Sequence, residues 1–171
     1  GFILVNGNYY CDMISWRVQI GGNYNQSSNC TRVSQTQVNC TIPRGLGREL
    51  MIYTLSANKS VTLQSGSALF SYNGPVATSI SPSIGIVTGG TNVTINGTNF
   101  GFTVSDVSSV YIGSFQCTLV TMPISITQIR CTTSAGTGSN LPIIITRVDG
   151  SQNTSAGLFT YAVNGCDGVL N

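Results

Sequence analysis

The chain repeats itself, and the repeat limits the fold more sharply than any other feature. Leu69-Phe70-Ser71-Tyr72 matches Leu158-Phe159-Thr160-Tyr161, and Val18-Gln19-Ile20-Gly21-Gly22 matches Val110-Tyr111-Ile112-Gly113-Ser114. Ser34-Gln35-Thr36-Gln37-Val38-Asn39-Cys40-Thr41 matches Ser125-Ile126-Thr127-Gln128-Ile129-Arg130-Cys131-Thr132, and Leu4 to Tyr10 matches Thr94 to Phe100. Nothing matches Ile80 to Asn92, ahead of the second copy. Self-similarity of this length marks one structural unit used twice. The expected organisation is a first domain at 1–73 that lacks its opening strand, a complete domain at 74–163, and a tail at 164–171.

Both copies read as β structure. Thr91-Asn92-Val93-Thr94-Ile95-Asn96 alternates apolar with polar at period two, and Trp16-Arg17-Val18-Gln19-Ile20 puts Trp16, Val18 and Ile20 on one face. Leu141 to Val148 and Leu158 to Val163 read as further strands, and Asn6-Gly7, Asn96-Gly97 and Asp149-Gly150 supply turn chemistry. Short strands at this spacing predict two tandem antiparallel β-sandwiches, an all-β chain. Asn73 to Ala77 is the expected linker, with the sandwiches end to end.

Charge narrows the function. Only 7% of residues are charged, against a typical value of about 25%. A net charge of +2 from scattered arginines and one lysine gives no basic face for nucleic acid or an acidic membrane. The six cysteines point to an oxidising compartment. No apolar run approaches the ~18 residues of a membrane helix. The sequence given opens at Gly1 without an initiator Met or a signal-peptide pattern, so it is expected to be a processed form or a fragment of something longer.

In the second copy, Ile80-Ser81-Pro82-Ser83, Gly89-Gly90-Thr91, Thr94 to Gly101, Gln116-Cys117-Thr118, Ile129-Arg130-Cys131 and Phe159-Thr160-Tyr161 together resemble an IPT/TIG domain. The resemblance spans about residues 75–163 and implies an early-set immunoglobulin-like fold. The first copy resembles the same family from Leu4 to Tyr72, without the opening Pro and Gly-Gly-Thr. The family implies extracellular adhesion or receptor modules, plus a DNA-binding branch that the sequons, the cysteines and the lack of a basic face disfavour here.

Cys30 and Cys40 stand where Cys117 and Cys131 stand in the second copy. Each short interval predicts a disulfide within its own domain, worth roughly 3 kcal/mol for a loop of about 15 residues. With no His and few carboxylates, a metal site is not expected. Cys11 and Cys166 are left over. They should lie at opposite ends of an extended protomer, too far apart for the ~7 Å between Cα atoms that a disulfide allows. Either Cys166 of one protomer meets Cys11 of the next, or the two are unrelated, as free thiols or with partners in segments outside this sequence.

Asn25, Asn29, Asn39, Asn58, Asn92, Asn96 and Asn153 each begin Asn-X-Ser/Thr, the acceptor pattern for N-linked glycans. Covalent glycans are expected, and no cofactor. Asn92 and Asn96 fall on the polar side of their strand, opposite Val93 and Ile95. Catalysis lacks its parts. There is no imidazole, and Asp12, Glu49, Asp106, Asp149 and Asp167 suggest no carboxylate pair. The glycines at 85–90 and 45–47 lack the Lys-Ser/Thr of a phosphate loop. Trp16 reads as core, and Tyr9, Tyr10 and Tyr24 are the only aromatics available for a sugar platform. The chain is not expected to be an enzyme.

The missing opening strand leaves Phe2-Ile3-Leu4-Val5 as an apolar edge open to another chain. The leading expectation is a head-to-tail homopolymer, a glycan-coated filament. Its tail residues, Val169 and Leu170 among them, would fill the empty lane of the next protomer, and Cys166–Cys11 would lock the joint. Donation of Gly1 to Val5 ranks second. The alternative is a fragment of a cell-surface adhesion or receptor ectodomain whose partner is another cell-surface protein.

Overall fold

A computed structural model describes residues 1–6, 16–21, 27–56, 62–120 and 125–163. The chain divides into two compact units, Gly1–Tyr72 and Asn73–Asn171, each built from β-strands. The only other regular element among the described residues is a single 3-10 turn at Val104–Asp106. All-β architecture with immunoglobulin-like antiparallel sandwiches is what the alternation predicts.

The first unit contains β1 (Phe2–Asn6), β2 (Trp16–Ile20), β3 (Ser27–Arg32), β4 (Gln37–Thr41), β5 (Leu50–Ser56) and β6 (Thr62–Phe70). They hydrogen-bond in the order β1-β4-β3-β2-β5-β6, every neighbouring pair antiparallel. The core joins both ends of this sheet, with Val38 and Cys40 of β4 and Ile3 and Val5 of β1 packing with Val18, Ile52 and Phe70. The apolar run Phe2–Val5 is not uniformly buried. Successive side chains of a strand point to opposite faces, so Ile3 and Val5 are half-buried toward the core while Phe2 and Leu4 are exposed. Gln19 departs from the alternation, for it is 2% exposed beside buried Val18 and Ile20.

The second unit contains β7 (Val76–Ser81), β8 (Ile84–Ile86), β9 (Asn92–Thr98), β10 (Val107–Ile112), β11 (Phe115–Leu119), β12 (Gln128–Thr133), β13 (Leu141–Arg147) and β14 (Gln152–Ala162). Their order is β7-β9-β12-β11-β10-β13-β14-β8. Val93, Ile95, Phe100, Val110, Ile112, Ile129, Ile143, Ile145 and Phe159 form a core in which each is at most 1% exposed. β14 begins six residues before the sequence pattern places it, because Gln152, Asn153 and Thr154 pair with Thr146, Ile145 and Ile144 although they lack apolar character.

The opening segment of the second unit fills two places. β7 lies antiparallel to β9, with Ile80 opposite Ile95 and Ser81 opposite Thr94. The chain then passes the cis Ser81–Pro82 peptide, and β8 runs parallel to β14, with Thr160 opposite Ile84. β9 matches β1 and β14 matches β6 in sequence. Among the described residues of the first unit, no strand lies on the outer side of either β1 or β6. The sequence reading placed one empty lane beside β1; the second unit shows that such a segment covers two edges.

The stretch Asn73–Ala77 is not a free linker. The Asn73 carbonyl accepts from Arg147 Nη1 at 3.2 Å, the Gly74 carbonyl accepts from Asn99 Nδ2 at 3.2 Å, and β7 already begins at Val76.

Candidate functional site

The four described cysteines are paired as their spacing predicts. Cys30 bonds Cys40 across β3 and β4, and Cys117 bonds Cys131 across β11 and β12, with Cα separations of 4.0 and 5.5 Å. Cys40 and Cys131 are fully buried, so each disulfide is part of its core. Cys11, Cys166, Val169 and Leu170 lie outside the described residues, as do Tyr9, Tyr10, Tyr24, Asp12, Asp167, Asn25, Asn58 and the Trp16 side chain.

Several contacts recur between the two units at matched positions. Tyr72 donates its hydroxyl to the Pro43 carbonyl at 2.9 Å, and Tyr161 donates to the Ser134 carbonyl at 3.1 Å. Phe70 meets Tyr72 edge-on at 4.9 Å, and Phe159 meets Tyr161 at 5.1 Å. Gln37 donates to Asn6 Oδ1 at 2.9 Å, and Gln128 to Asn96 Oδ1 at 3.1 Å. Ser34 accepts from the Thr36 N–H, and Ser125 from the Thr127 N–H. The left-handed backbone at Glu49 (φ 53°) recurs at Asn140 (φ 51°). Burial raises the pKa of both tyrosine hydroxyls, with a hydrogen bond to Thr133 opposing it at Tyr161.

Of the described sequons, Asn29 and Asn92 are exposed, and Asn39, Asn96 and Asn153 are half-buried. The two on β9 differ in their freedom. Asn92 accepts a bond from Thr132 Oγ1 at 2.7 Å through its carbonyl oxygen. The Asn96 amide nitrogen donates to Ser79 Oγ of β7 at 3.3 Å, so a glycan there would have to share this nitrogen with the bond. Both do project from the face opposite Val93 and Ile95.

The edge strand β1 exposes Phe2 at 73% and Leu4 at 51%. The Gly1 carbonyl accepts from the Ile42 N–H, which makes Gly1, Ile3 and Val5 the residues bonded to β4. In an antiparallel ladder the alternate residues, Phe2, Leu4 and Asn6, then aim their backbone groups at the open side.

Two of the described acids, Asp106 and Asp149, are spent on structure. Asp106 accepts from the Phe102 and Thr103 N–H groups at 2.7 and 2.8 Å and so closes the 3-10 turn. Asp149 pairs with Arg147. Among the described residues, no group of three or more His, Cys, Asp or Glu is arranged to hold a metal ion, and no helix is long and apolar enough to cross a membrane. A shallow cleft of about 270 Å³ opens between β9 and β12, lined by Asn92, Val93, Thr94, Val120, Arg130 and Cys131.

Sequence reasoning missed Arg147. It is 1% exposed, and all five of its N–H groups are used: two on Asp149, one on Ser151 Oγ, and one each on the Asn73 and Asn99 carbonyls. The only signal was its place in the apolar run from Leu141, where an inward position at period two falls on a charge.

The profile of the IPT/TIG domain matches residues 75–161, just over half of the chain. No match was found among curated proteins. Among solved structures, the chain is similar to the full extracellular region of Plexin A4, at 16% identity and a TM-score of 0.46. It is also similar to SGBP-B of the Bacteroides ovatus mixed-linkage glucan utilization locus, in complex with a mixed-linkage heptasaccharide, at 17% identity and a TM-score of 0.32. In both comparisons 95% of this chain is covered, and it spans only 26% and 41% of those longer chains. By the profile match, the chain belongs to the IPT/TIG domain family.

Proposed function

We propose that these residues are a stretch of a non-catalytic extracellular protein, a cell-surface adhesion or receptor ectodomain built from tandem IPT/TIG modules. The observation that carries this reading is the recurrence of one contact set, Tyr72–Pro43 and Cys30–Cys40 in the first unit and Tyr161–Ser134 and Cys117–Cys131 in the second. It supports the first unit as a second copy of the module. Two buried disulfides support an oxidising compartment, and the seven sequons support N-linked glycans on the surface. The partner in this reading is another cell-surface protein. Protease treatment of intact cells making the protein tests it: peptides from residues 1–171 should be released without lysis, and their release only after lysis would sink the reading.

The lane beside β1, filled in the second unit by β7 and by no described strand in the first, favours a second reading. In it, residues 164–171 of one protomer, Val169 and Leu170 among them, pair with β1 of the next and Cys166 bonds Cys11, building a filament. Non-reducing electrophoresis separates the two. A covalent ladder lost in Cys11→Ser favours the filament, and a single unreduced band excludes it.

A further inference from the structure

The outward face of β1, β4 and β3 brings together residues that the second unit does not combine. Leu4 sits directly opposite Asn39, and Phe2 directly opposite Thr41. Cross-strand partners of this kind have Cβ atoms about 4.5–5.5 Å apart. Asn39-Cys40-Thr41 is a sequon, and so is Asn29-Cys30-Thr31 on the neighbouring strand, with Thr31 opposite Asn39. Cys30 and Cys40 point inward as the disulfide, so the residues on either side of each, Asn29, Thr31, Asn39 and Thr41, point outward. Two glycan acceptors and two exposed apolar side chains therefore share one small face.

The fold does not demand this. At the matched positions the second unit has Asn92 and Thr94 on β9, opposite Thr132 and Arg130 on β12, polar throughout. Asn39 is also better placed for modification than Asn96. The Asn96 amide bonds Ser79, whereas the Asn39 side chain has no hydrogen-bond partner among the described residues. Phe2 at 73% and Leu4 at 51% exposure lie side by side on this face, apolar surface that a cover would remove from water.

We propose that Asn39 carries an N-linked glycan whose first sugars lie over Leu4 and Phe2, with Asn29 as a second attachment point on the same face. The proposal rests on the extracellular reading above. A pyranose ring offers a face of C–H groups that sits on an aromatic ring or on methyl groups and removes them from water, while its hydroxyls stay solvated. The amide link at Asn39 starts one cross-strand step from Leu4 and a diagonal step from Phe2, within reach of the first two sugars. The glycan would shield the apolar side chains of an edge strand that bears no charge.

The test uses the full chain secreted from a eukaryotic host. Glycopeptide mass spectrometry reads occupancy at each sequon, and thermal unfolding is compared for Asn39→Gln, Leu4→Thr and the double variant. Asn39 should be occupied, and Asn39→Gln should lower the first unit's unfolding midpoint by about 4 °C in the parent protein. In the Leu4→Thr background, which places there the residue found at position 94, most of that loss should vanish. Phe2→Ser is a second background if Leu4→Thr is not secreted. Occupied Asn92 or Asn153 with a bare Asn39 overturns this proposal alone. Seven bare sequons likewise overturn this proposal, whereas the extracellular reading falls only if protease releases no peptide of residues 1–171 from intact cells. An occupied Asn39 whose loss costs the same in every background overturns the packing of sugar on Leu4 and Phe2.

Discussion

Gly136 lies so close to the ring of Tyr161 that a Cβ built on it would stand 2.7 Å from Cε2 and Cζ. Gly45 has the same relation to Tyr72, at 2.6 Å. In both units the tyrosine hydroxyl reaches over to a carbonyl just before this glycine, so the ring is anchored at its tip and cannot swing aside. Gly136→Ala should therefore destabilise the second unit by about 1–3 kcal/mol, the usual range for overpacking. Gly45→Ala should do the same to the first. Scanning calorimetry should show one transition shifted in each variant and the other unmoved; an unshifted trace for both would mean that the ring yields.

Arg147 is the charge whose removal should hurt most. Truncation leaves the Asn73 and Asn99 carbonyls without their donor and Asp149 without its cation. Fully buried pairs lose ~3–5 kcal/mol when one partner is removed. Asp149 keeps 12% of its side-chain exposure, so Arg147→Ala should cost somewhat less, roughly 2–4 kcal/mol. Arg147→Lys should recover only part of this, because an ammonium cannot span the five acceptor contacts. Denaturant unfolding measures both.

Acid should loosen the same unit. Burial alone would raise the Asp149 carboxyl, but hydrogen bonds from Arg147 and from the Ser151 N–H and hydroxyl, with the guanidinium charge, outweigh it and hold its pKa below the usual carboxylate value. A depressed folded-state pKa contributes stability that is present above the unfolded value of 3.8 and is lost as pH falls through the lower folded value. The unfolding midpoint of the second unit should fall over that window, and Asp149→Asn should flatten the fall.

The disulfides should contribute according to the logarithm of the loops they close. Cys117–Cys131 spans 14 residues and Cys30–Cys40 spans 10. On chain-entropy grounds, Cys117→Ala with Cys131→Ala costs about 3 kcal/mol, and the first pair slightly less. Peptide mapping under non-reducing conditions should recover both linkages, and a cross-linked peptide joining Cys30 to Cys117 would contradict the assignment.

Local pattern alone determined the β class, the two disulfides and the IPT/TIG domain at residues 75–161. Period-two alternation, as in Asn92–Asn96, is a property of a strand by itself, and cysteines at matched places in a repeat pair because the repeat places them alike. The sequence also marked Ile80–Asn92 as having no counterpart. Only the tertiary structure decided that this opening segment covers two edges, β9 through Ile80 and β14 through Ile84, because strand order depends on contacts that a local pattern does not record, Ile84 meeting Thr160 from the far end of the unit. The role of Arg147, which reaches Asn73 and Asn99 from the end of β13, and the exposure of Leu4 within an apolar run were settled in the same way. Burial is set by which neighbouring strands arrive, and composition does not record that.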